Sequence, residues 1–219
     1  MDLAADEDQC PGAQLVLAAA TELFAAHGYD GVSVTAVARQ AGVSKANVFH
    51  HFVSKEQLYL EVLKRAVSIN LEKMAPVICG KADFQTRLTQ MIRLRLEHMF
   101  SNDSGTRLVM REVMEGDGTR VQTLANRVFH RNLEEGMAFF ETARKRGEVR
   151  ADLDPKLSAL LVSSVCVTFF QCREVMRHTH YAELMDSVGH FAGATATALL
   201  RGMQPLPVPA RRATRKVTA

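Results

Sequence analysis

The chain has 219 residues, of which 47% are hydrophobic and 23% are charged, and its formal net charge at pH 7 is +3. A chain of this length and composition can bury enough apolar surface for one large or two modest folded domains, so a disordered or fibrous protein is excluded. The weak positive charge excludes nothing further, because many metabolic enzymes share it with proteins that bind nucleic acid.

The N-terminal residues and the cysteines indicate a reducing compartment. Residues 1–8 are acidic and lack the basic start and apolar run of a secretory signal. The apolar stretch at residues 157–170 is interrupted by serine and threonine and is shorter than the roughly 18 residues that suggest a membrane span. Cysteines without CxxC spacing behave as small hydrophobic residues, and the chain has four: Cys10, Cys79, Cys166 and Cys172. We therefore predict a cytoplasmic protein that contacts no membrane.

Apolar residues recur at helical spacing through most of residues 13–203, where glycine and proline are sparse, and this pattern predicts an all-α fold. The first helix ends at Gly28, and serines with the properties of N-caps begin the next three, at Ser33, Ser44 and Ser54. The inner face predicted for the first helix consists of Leu15, Ala19, Leu23 and Phe24.

Five longer helices are predicted over residues 83–101, 104–115, 120–146, 154–178 and 181–201. We therefore divide the chain into four parts. Residues 1–12 are predicted to be a disordered tail, and residues 13–65 a three-helix domain that contains a helix-turn-helix. Residues 66–203 are predicted to form a larger domain of about nine helices, and residues 204–219 a disordered basic tail.

Residues 35–52 read TAVARQAGVSKANVFHHF, which is a helix, a turn at Gly42 and a second helix that begins after Ser44. Once Val43, Val48 and Phe52 are assigned to the core, the other side chains of the second helix face outward: Lys45, Ala46, Asn47, Phe49, His50 and His51. Histidine and lysine bind phosphates, and asparagine and lysine can reach base edges in the major groove of DNA. The pattern predicts a DNA-reading helix, with Lys55 placed to bind a further phosphate.

The segment GVSKANVFHHFVSKEQL, preceded by a helix with the pattern AxxLFxxxG, resembles the N-terminal signature of TetR-family regulators over about a quarter of the chain. The resemblance implies a homodimer of helical subunits. The N-terminal domain would bind a palindromic operator in double-stranded DNA, and the C-terminal domain would dimerise and bind a small effector.

The resemblance also implies roles for individual residues. Ser33 and Thr35 would contact phosphate. The DNA backbone would be held by Ser44, Phe49, His51 and Lys55, and the bases would be faced by Lys45, Ala46, Asn47 and His50. The sequence departs from the family pattern at three places, because Phe49 stands where tyrosine is common, Ala46 stands where glycine is frequent, and the first helix lacks the usual early arginine.

Residues 154–178 predict a helix that is apolar on nearly every side, and such a helix must be buried against more than one partner. The last helix combines small residues, such as Gly189 and Gly193, with apolar ones. We predict that two helices of each subunit form a four-helix dimer interface, with a purely internal core as the alternative. The predicted interface residues are Leu161, Val165, Phe169, Val188, Phe191 and Leu199.

Methionine and aromatic residues gather in the middle helices, where they either fill the core or line a mainly apolar pocket. Together with nearby polar side chains they favour an unidentified hydrophobic or amphipathic effector. The pocket residues that we predict are Met91, Arg95, His98, Met110, Met114, His130 and Phe139.

The sequence thus predicts a ligand-responsive transcriptional regulator, most simply a repressor. An effector-independent architectural protein that coats DNA through its basic tail is the alternative. An enzyme is a remote third, because we find no nucleophile motif or phosphate-binding glycine loop. We predict no cofactor and no metal site, since pairs such as His130 with Glu134 supply too few ligands for zinc.

Overall fold

The computed structural model describes residues 10–69, 71–115 and 118–204. These residues form α-helices, one π-helical turn and connecting loops, with no β-strand among them, so the predicted all-α fold is confirmed. Of the two predicted tails, residues 1–9 and 205–219 lie outside the described residues. The first helix already begins at Pro11, two residues before the predicted domain boundary.

The N-terminal domain begins with α1 (Pro11–His27), α2 (Val34–Ala41), α3 (Lys45–His51) and α4 (Lys55–Val67). The three predicted N-caps are confirmed. The hydroxyl oxygens of Ser33, Ser44 and Ser54 each accept a hydrogen bond of 3.1 Å from the backbone N–H three residues further on. Gln57 supports the start of α4 by accepting a hydrogen bond from the backbone N–H of Val53 at 2.8 Å.

The helices of the C-terminal domain follow the prediction closely after residue 83. The sequence does not predict α5, because Pro76 lies inside it and proline removes a helical hydrogen bond. The helix predicted over residues 181–201 is two helices, since the Ser187 side chain begins a new one by accepting from the His190 N–H at 3.1 Å. The elements are α5 (Leu71–Cys79), α6 (Phe84–Ser101), α7 (Asp103–Glu115), α8 (Gly118–Leu124), a π-helical turn (Ala125–Phe129), α9 (His130–Lys145), α10 (Pro155–Met176), α11 (Ala182–Met185) and α12 (Val188–Met203).

Two hydrophobic cores hold these helices together. The first lies among α1 to α4 and is completed by four residues from beyond residue 100: Leu108, Val109, Leu124 and Val128. Helices α1 to α4 therefore share their core with the C-terminal part of the chain. The predicted inner face of α1 is corrected, because Leu15 is 55% exposed. The buried face consists instead of Ala13, Val16, Leu17, Ala19, Ala20 and Phe24.

The second core lies among α5, α6, α9, α10, α11 and α12, with the Phe139 ring fully buried in it. A fully buried arginine, Arg87, borders this core and donates hydrogen bonds to the carbonyls of Ala82 and Ile78 at 3.0 and 3.1 Å. It also forms an ion pair with Glu148. Because its charge and donors are satisfied within the chain, Arg87 has a structural role.

Helix α10 is buried on one side and exposed on the other. Val162, Cys166 and Phe169 lie in the second core, and this side packs against α6 and α9. The exposed side carries Leu157 and Leu161 among other apolar residues. By length and composition alone α10 could cross a membrane, but the core helix of a folded protein meets the same criteria.

Candidate nucleic-acid interface

The helix-turn-helix is formed by α2 and α3, which meet at a tight turn. Gly42 ends α2 with φ of +69°, a left-handed conformation that favours glycine. The next residue, Val43, donates its backbone N–H to the carbonyl of Ala38 at 3.0 Å. Val48 and Phe52 then anchor α3 in the first core, as the sequence predicts. These contacts fix one face of α3 and leave the opposite face to solvent.

The exposed face of α3 carries four of the predicted DNA-binding side chains: Lys45, Ala46, Phe49 and His50. The Lys45 Nζ lies 5.8 Å from the centroid of the Phe49 ring. An aromatic ring attracts a cation that lies over it, so Phe49 helps to position the Lys45 ammonium. This contact gives the exposed phenylalanine a role that does not need the tyrosine hydroxyl.

Asn47 and His51 are turned toward the start of α1, which differs from their predicted outward orientation. The Asn47 Oδ1 is buried and has no hydrogen-bond partner among residues 10–69, 71–115 and 118–204. A Cβ atom placed on Gly12 would lie 3.1 Å from the His51 Nε2 and 3.6 Å from the Asn47 Oδ1. The absence of a side chain at Gly12 therefore lets α1 approach the reading helix closely. In this arrangement the Oδ1 atom of Asn47 faces α1 and not a base edge.

The predicted phosphate-binding residues lie at the starts of α2, α3 and α4. Ser33 and Ser44 are exposed caps, and Thr35 is exposed in the first turn of α2. The Lys55 Nζ, in the first turn of α4, lies 4.3 Å from the centroid of the Tyr29 ring. Helix starts carry a partial positive charge and free backbone N–H groups, and two of these three begin with a lysine, so together they favour an anion such as a DNA phosphate.

Buried polar contacts that no local sequence pattern indicates join the N-terminal domain to α7. The Tyr59 hydroxyl on α4 donates a hydrogen bond of 2.5 Å to the Glu112 Oε1 on α7. Arg111 on α7 donates to the carbonyls of Phe24 and Ala25 at the end of α1, at 2.9 and 3.2 Å. These partners are more than fifty residues apart, so no local pattern relates them.

The C-terminal end of α4 is held by two side chains from the C-terminal domain. The His98 Nε2 on α6 lies 3.1 and 3.2 Å from the carbonyl oxygens of Ala66 and Arg65. The Asn132 side chain on α9 donates to the carbonyl of Val67 at 2.6 Å. The last carbonyls of a helix lack partners within the helix, and here they are satisfied by α6 and α9. A displacement of α6 or α9 would therefore change the position of the C-terminal end of α4.

Replacing Tyr59 with phenylalanine is expected to lower the free energy of unfolding by about 1 to 3 kcal/mol, because the Glu112 carboxylate stays buried without this donor. Urea denaturation measures the change, with Tyr181→Phe as a control because Tyr181 is exposed. A loss no larger than that of the control would show that the hydrogen bond contributes little.

His98 is expected to make the fold sensitive to acid. Burial lowers the pKa of His98, and the nearby charges of Arg95 and Lys73 act in the same direction, against the opposing effect of its carbonyl contacts. Below about pH 6.5 the unfolded chain then binds the proton more readily than the folded chain, so stability falls as the pH drops further. Urea denaturation from pH 7.5 to 5 should show a smaller decline in His98→Gln than in the exposed-site control His180→Gln. Parallel curves would contradict this account.

The structure separates the predicted effector residues into two groups. Met91 and Phe139 are buried in the second core, Arg95, His98 and Met110 are half-buried, and all five lie in the C-terminal domain. The other two predictions are corrected. Met114 is 80% exposed, and His130 is exposed and lies 3.2 Å from Glu134 on the helix surface. Neither side chain can line an interior pocket.

The predicted dimer residues also divide into two groups. Phe169 and Phe191 are 0% and 6% exposed and pack on each other with ring centroids 4.2 Å apart. They belong to the core of the subunit, so their assignment to a dimer interface is corrected. Leu161 is exposed, whereas Val165, Val188 and Leu199 are half-buried. The outward apolar surface of α10 includes four residues that the prediction omits: Leu157, Leu160, Val167 and Val175.

The outer face of α12 forms an open groove of about 590 Å³. It is lined largely by small residues, namely Gly189, Gly193, Ala194 and Ala198, together with His190, Thr197 and Arg201. Small side chains allow another helix to approach closely. Within the described part of the chain no group of three histidine, cysteine, aspartate or glutamate side chains is placed to hold a metal ion.

The fold and the exposed face of α3 define a DNA-binding protein of the helix-turn-helix class. Residues 16–62 match the family described as bacterial regulatory proteins, tetR family. The N-terminal domain therefore matches the tetR family, in agreement with the resemblance found in the sequence.

The chain is also similar to individual regulators. It is 35% identical over 103 residues to the HTH-type transcriptional regulator RutR of Escherichia coli, a match that covers 46% of this chain and 47% of RutR. It is 32% identical over 94 residues to the HTH-type transcriptional activator FasR of Mycolicibacterium smegmatis, covering 43% of each chain. The chain thus spans about half the length of these curated relatives.

Solved structures extend the likeness of fold to most of the chain. A putative fatty acid metabolism regulator of Clostridium perfringens superposes with a TM-score of 0.70 at 21% identity, covering 89% of this chain and 99% of that one. The regulator FadR of Bacillus subtilis, solved in complex with stearoyl-CoA, gives a TM-score of 0.66 at 19% identity and covers 83% and 97%. The C-terminal domain therefore has the fold of such regulators.

Proposed function

We propose that this chain is a ligand-responsive, sequence-specific transcriptional repressor. It would bind a palindromic operator as a homodimer. The observation that carries the proposal is the face of α3 opposite Val48 and Phe52, where Lys45, Phe49 and His50 are exposed beside three capped helix starts. Such a face serves no structural need of the subunit, whereas it suits the edges and phosphates of the major groove.

The homodimer would form through α10 and α12. The outward side of α10 is a stripe of leucine and valine, and the outward side of α12 is the groove of small residues. Pairing these two helices with their copies would build a four-helix interface around a two-fold axis. Phe169 and Phe191 are buried in the subunit and would pack behind this interface without contacting the partner.

The effector would act by changing the position of α4. This helix carries Lys55 at one end, while its other end is held by His98 of α6 and Asn132 of α9. The two reading helices of a dimer must lie about 34 to 36 Å apart to enter successive major grooves. A ligand that prefers one arrangement of α6 and α9 would alter this separation, and its affinity would depend reciprocally on operator binding.

We further propose that the effector is a small hydrophobic or amphipathic molecule, that the protein works in the cytoplasm without a membrane partner, and that it is not an enzyme. The second core, with Met91 and Phe139, supports an apolar ligand environment. The B. subtilis regulator of similar fold binds stearoyl-CoA, which is amphipathic.

Selection of genomic DNA fragments with the purified full chain, followed by DNase I footprinting of the selected fragments, tests the proposal. We expect enrichment of a few sites with inverted half-sites whose centres are one helical turn or a multiple of it apart. A chain that enriches no sequence over the starting library would contradict the proposal.

The effector-independent architectural alternative is tested with the same selected fragments. It predicts that a chain lacking residues 204–219 loses DNA binding, because that tail would supply the phosphate contacts. The proposed regulator should lose little affinity on this deletion, since its DNA contacts lie on α2, α3 and α4. A complete loss would favour the alternative.

A further inference from the structure

A half-buried arginine in the middle of α6, Arg95, has no hydrogen-bond partner within the described part of the chain. The Arg95 Nε is shielded from solvent and unpaired, and among the described residues no hydrogen bond or ion pair is found for the rest of its guanidinium group. Arg87, on the same helix, shows the contrast, because its donors are satisfied by backbone carbonyls and Glu148. A charged group that has a buried donor without a partner is energetically unfavourable. An anionic ligand would supply the missing partner of Arg95.

The groups that surround Arg95 do not neutralise it. Glu135 on α9 acts on it electrostatically, but this carboxylate is paired with Arg131 at 3.1 Å. The other influence comes from Cys166 on α10, whose pKa burial raises to about 11, so that the thiol is neutral at physiological pH. His98, one turn along α6, faces the carbonyls of α4 rather than Arg95 with its Nε2. Among the described residues, no ion pair neutralises the positive charge of Arg95.

Apolar side chains flank this charge along the helix. Met91 lies one turn before Arg95 and Met99 one turn after it, and both are buried in the second core. Arg95 itself keeps part of its surface accessible. Arg95 therefore places a partly accessible cation at the edge of the apolar second core, and this combination suits a molecule with an anionic group and a hydrocarbon body that enters the core.

We propose that Arg95 binds the anionic group of the effector, a carboxylate or a phosphate, and that the hydrocarbon body of the same molecule packs against the Met91 and Met99 face of α6. This inference rests on the proposed function and adds to it the charge of the effector and the residue that recognises it. His98 is three residues from Arg95 and contacts the Ala66 carbonyl at the end of α4. An anion bound to Arg95 would therefore lie close to a contact between α6 and the N-terminal domain.

The first test needs no ligand. If Arg95 is unpaired in the unliganded full chain, Arg95→Met removes an unpaired buried donor. The substitution should then raise the melting temperature by about 2 to 4 °C. Arg93→Met is the matched control, because Arg93 lies on the same helix but is half-exposed and paired with Glu97. A fall in melting temperature below that of the control would show that Arg95 is structural and would overturn the proposal.

The second test uses defined probes with twelve carbons: dodecanoate and dodecyl phosphate, each below its critical micelle concentration, and dodecanol below its solubility limit. Isothermal titration calorimetry of the full chain should show one of the two anions binding at least tenfold more tightly than the alcohol. In Arg95→Met this preference should disappear, while Arg93→Met keeps it. Comparing the two anions distinguishes a carboxylate from a phosphate ligand. Equal binding of all three probes to the unmodified chain would overturn the proposal.

Operator binding separates this inference from the proposed function. Without any probe, Arg95→Met should bind the selected DNA as the unmodified chain does, because among the described residues Arg95 has no hydrogen bond or ion pair to α2, α3 or α4. If the variant binds DNA normally and no anion is preferred, the anionic anchor is wrong and the regulator function stands. If the unmodified chain selects no DNA, the regulator function itself is wrong.

Discussion

Replacing Lys45 and Lys55 together with alanine is expected to weaken operator binding by about two to three orders of magnitude while the protein stays folded. Lys45 lies on the exposed face of α3, and the Lys55 ammonium is held over the Tyr29 ring at the start of α4. Loss of a contact to a base or a phosphate costs about 1 to 3 kcal/mol for each side chain. Fluorescence anisotropy with the selected operator measures the change.

The salt dependence of binding gives a second signature of the same variant. Each phosphate contact that is lost should reduce the slope of log affinity against log salt by about one. The double variant Lys81→Ala, Lys145→Ala is the control, because it removes the same charge from exposed positions away from α3. If this control weakens binding as much as the lysines of α3 and α4 do, the interface is placed wrongly.

Replacing Leu160 and Leu161 together with glutamate is expected to convert the dimer into monomers and to reduce affinity for the full operator by more than about a hundredfold. Both leucines are exposed in the subunit, on the outward side of α10. Charges buried without partners in the proposed four-helix interface would be strongly unfavourable. A monomer would also lose the second reading helix that binds the other half-site.

Light scattering coupled to size-exclusion chromatography measures the mass of this variant. Leu133→Glu is the matched control, because Leu133 is a similarly exposed leucine on α9, outside the proposed interface. A double variant that remains dimeric would place the interface elsewhere on the molecule. A control that dissociates would show that α9 takes part.

The elements that local chemistry determines could be predicted from the sequence. The caps at Ser33, Ser44 and Ser54 each satisfy a backbone N–H three residues away, so a short segment contains all the information. The turn at Gly42 is equally local. The placement of α3 and the exposure of Lys45 follow from these signals together with the apolar spacing of Val48 and Phe52.

Features that depend on contacts between distant segments could not be predicted. Asn47 turns toward α1 because Gly12 approaches it from a segment 35 residues earlier in the sequence. The burial of Phe169 and Phe191 inside the subunit is a second example. The periodicity of the sequence shows that α10 is apolar on several sides, but it does not show which side packs against the core. The hydrogen bond between Tyr59 and Glu112 could not be predicted either, because no pattern in the sequence around either residue indicates its partner.

Dimeric, sequence-specific binding is tested by two dissociation constants, one for a selected operator and one for a scrambled duplex of the same length. Both are measured at about 150 mM salt, together with the mass of the complex. We predict that the operator is bound at least about a thousandfold more tightly than the scrambled duplex, by two subunits per site. A ratio near one, or one subunit per intact operator, would contradict the account of a dimeric, sequence-specific regulator.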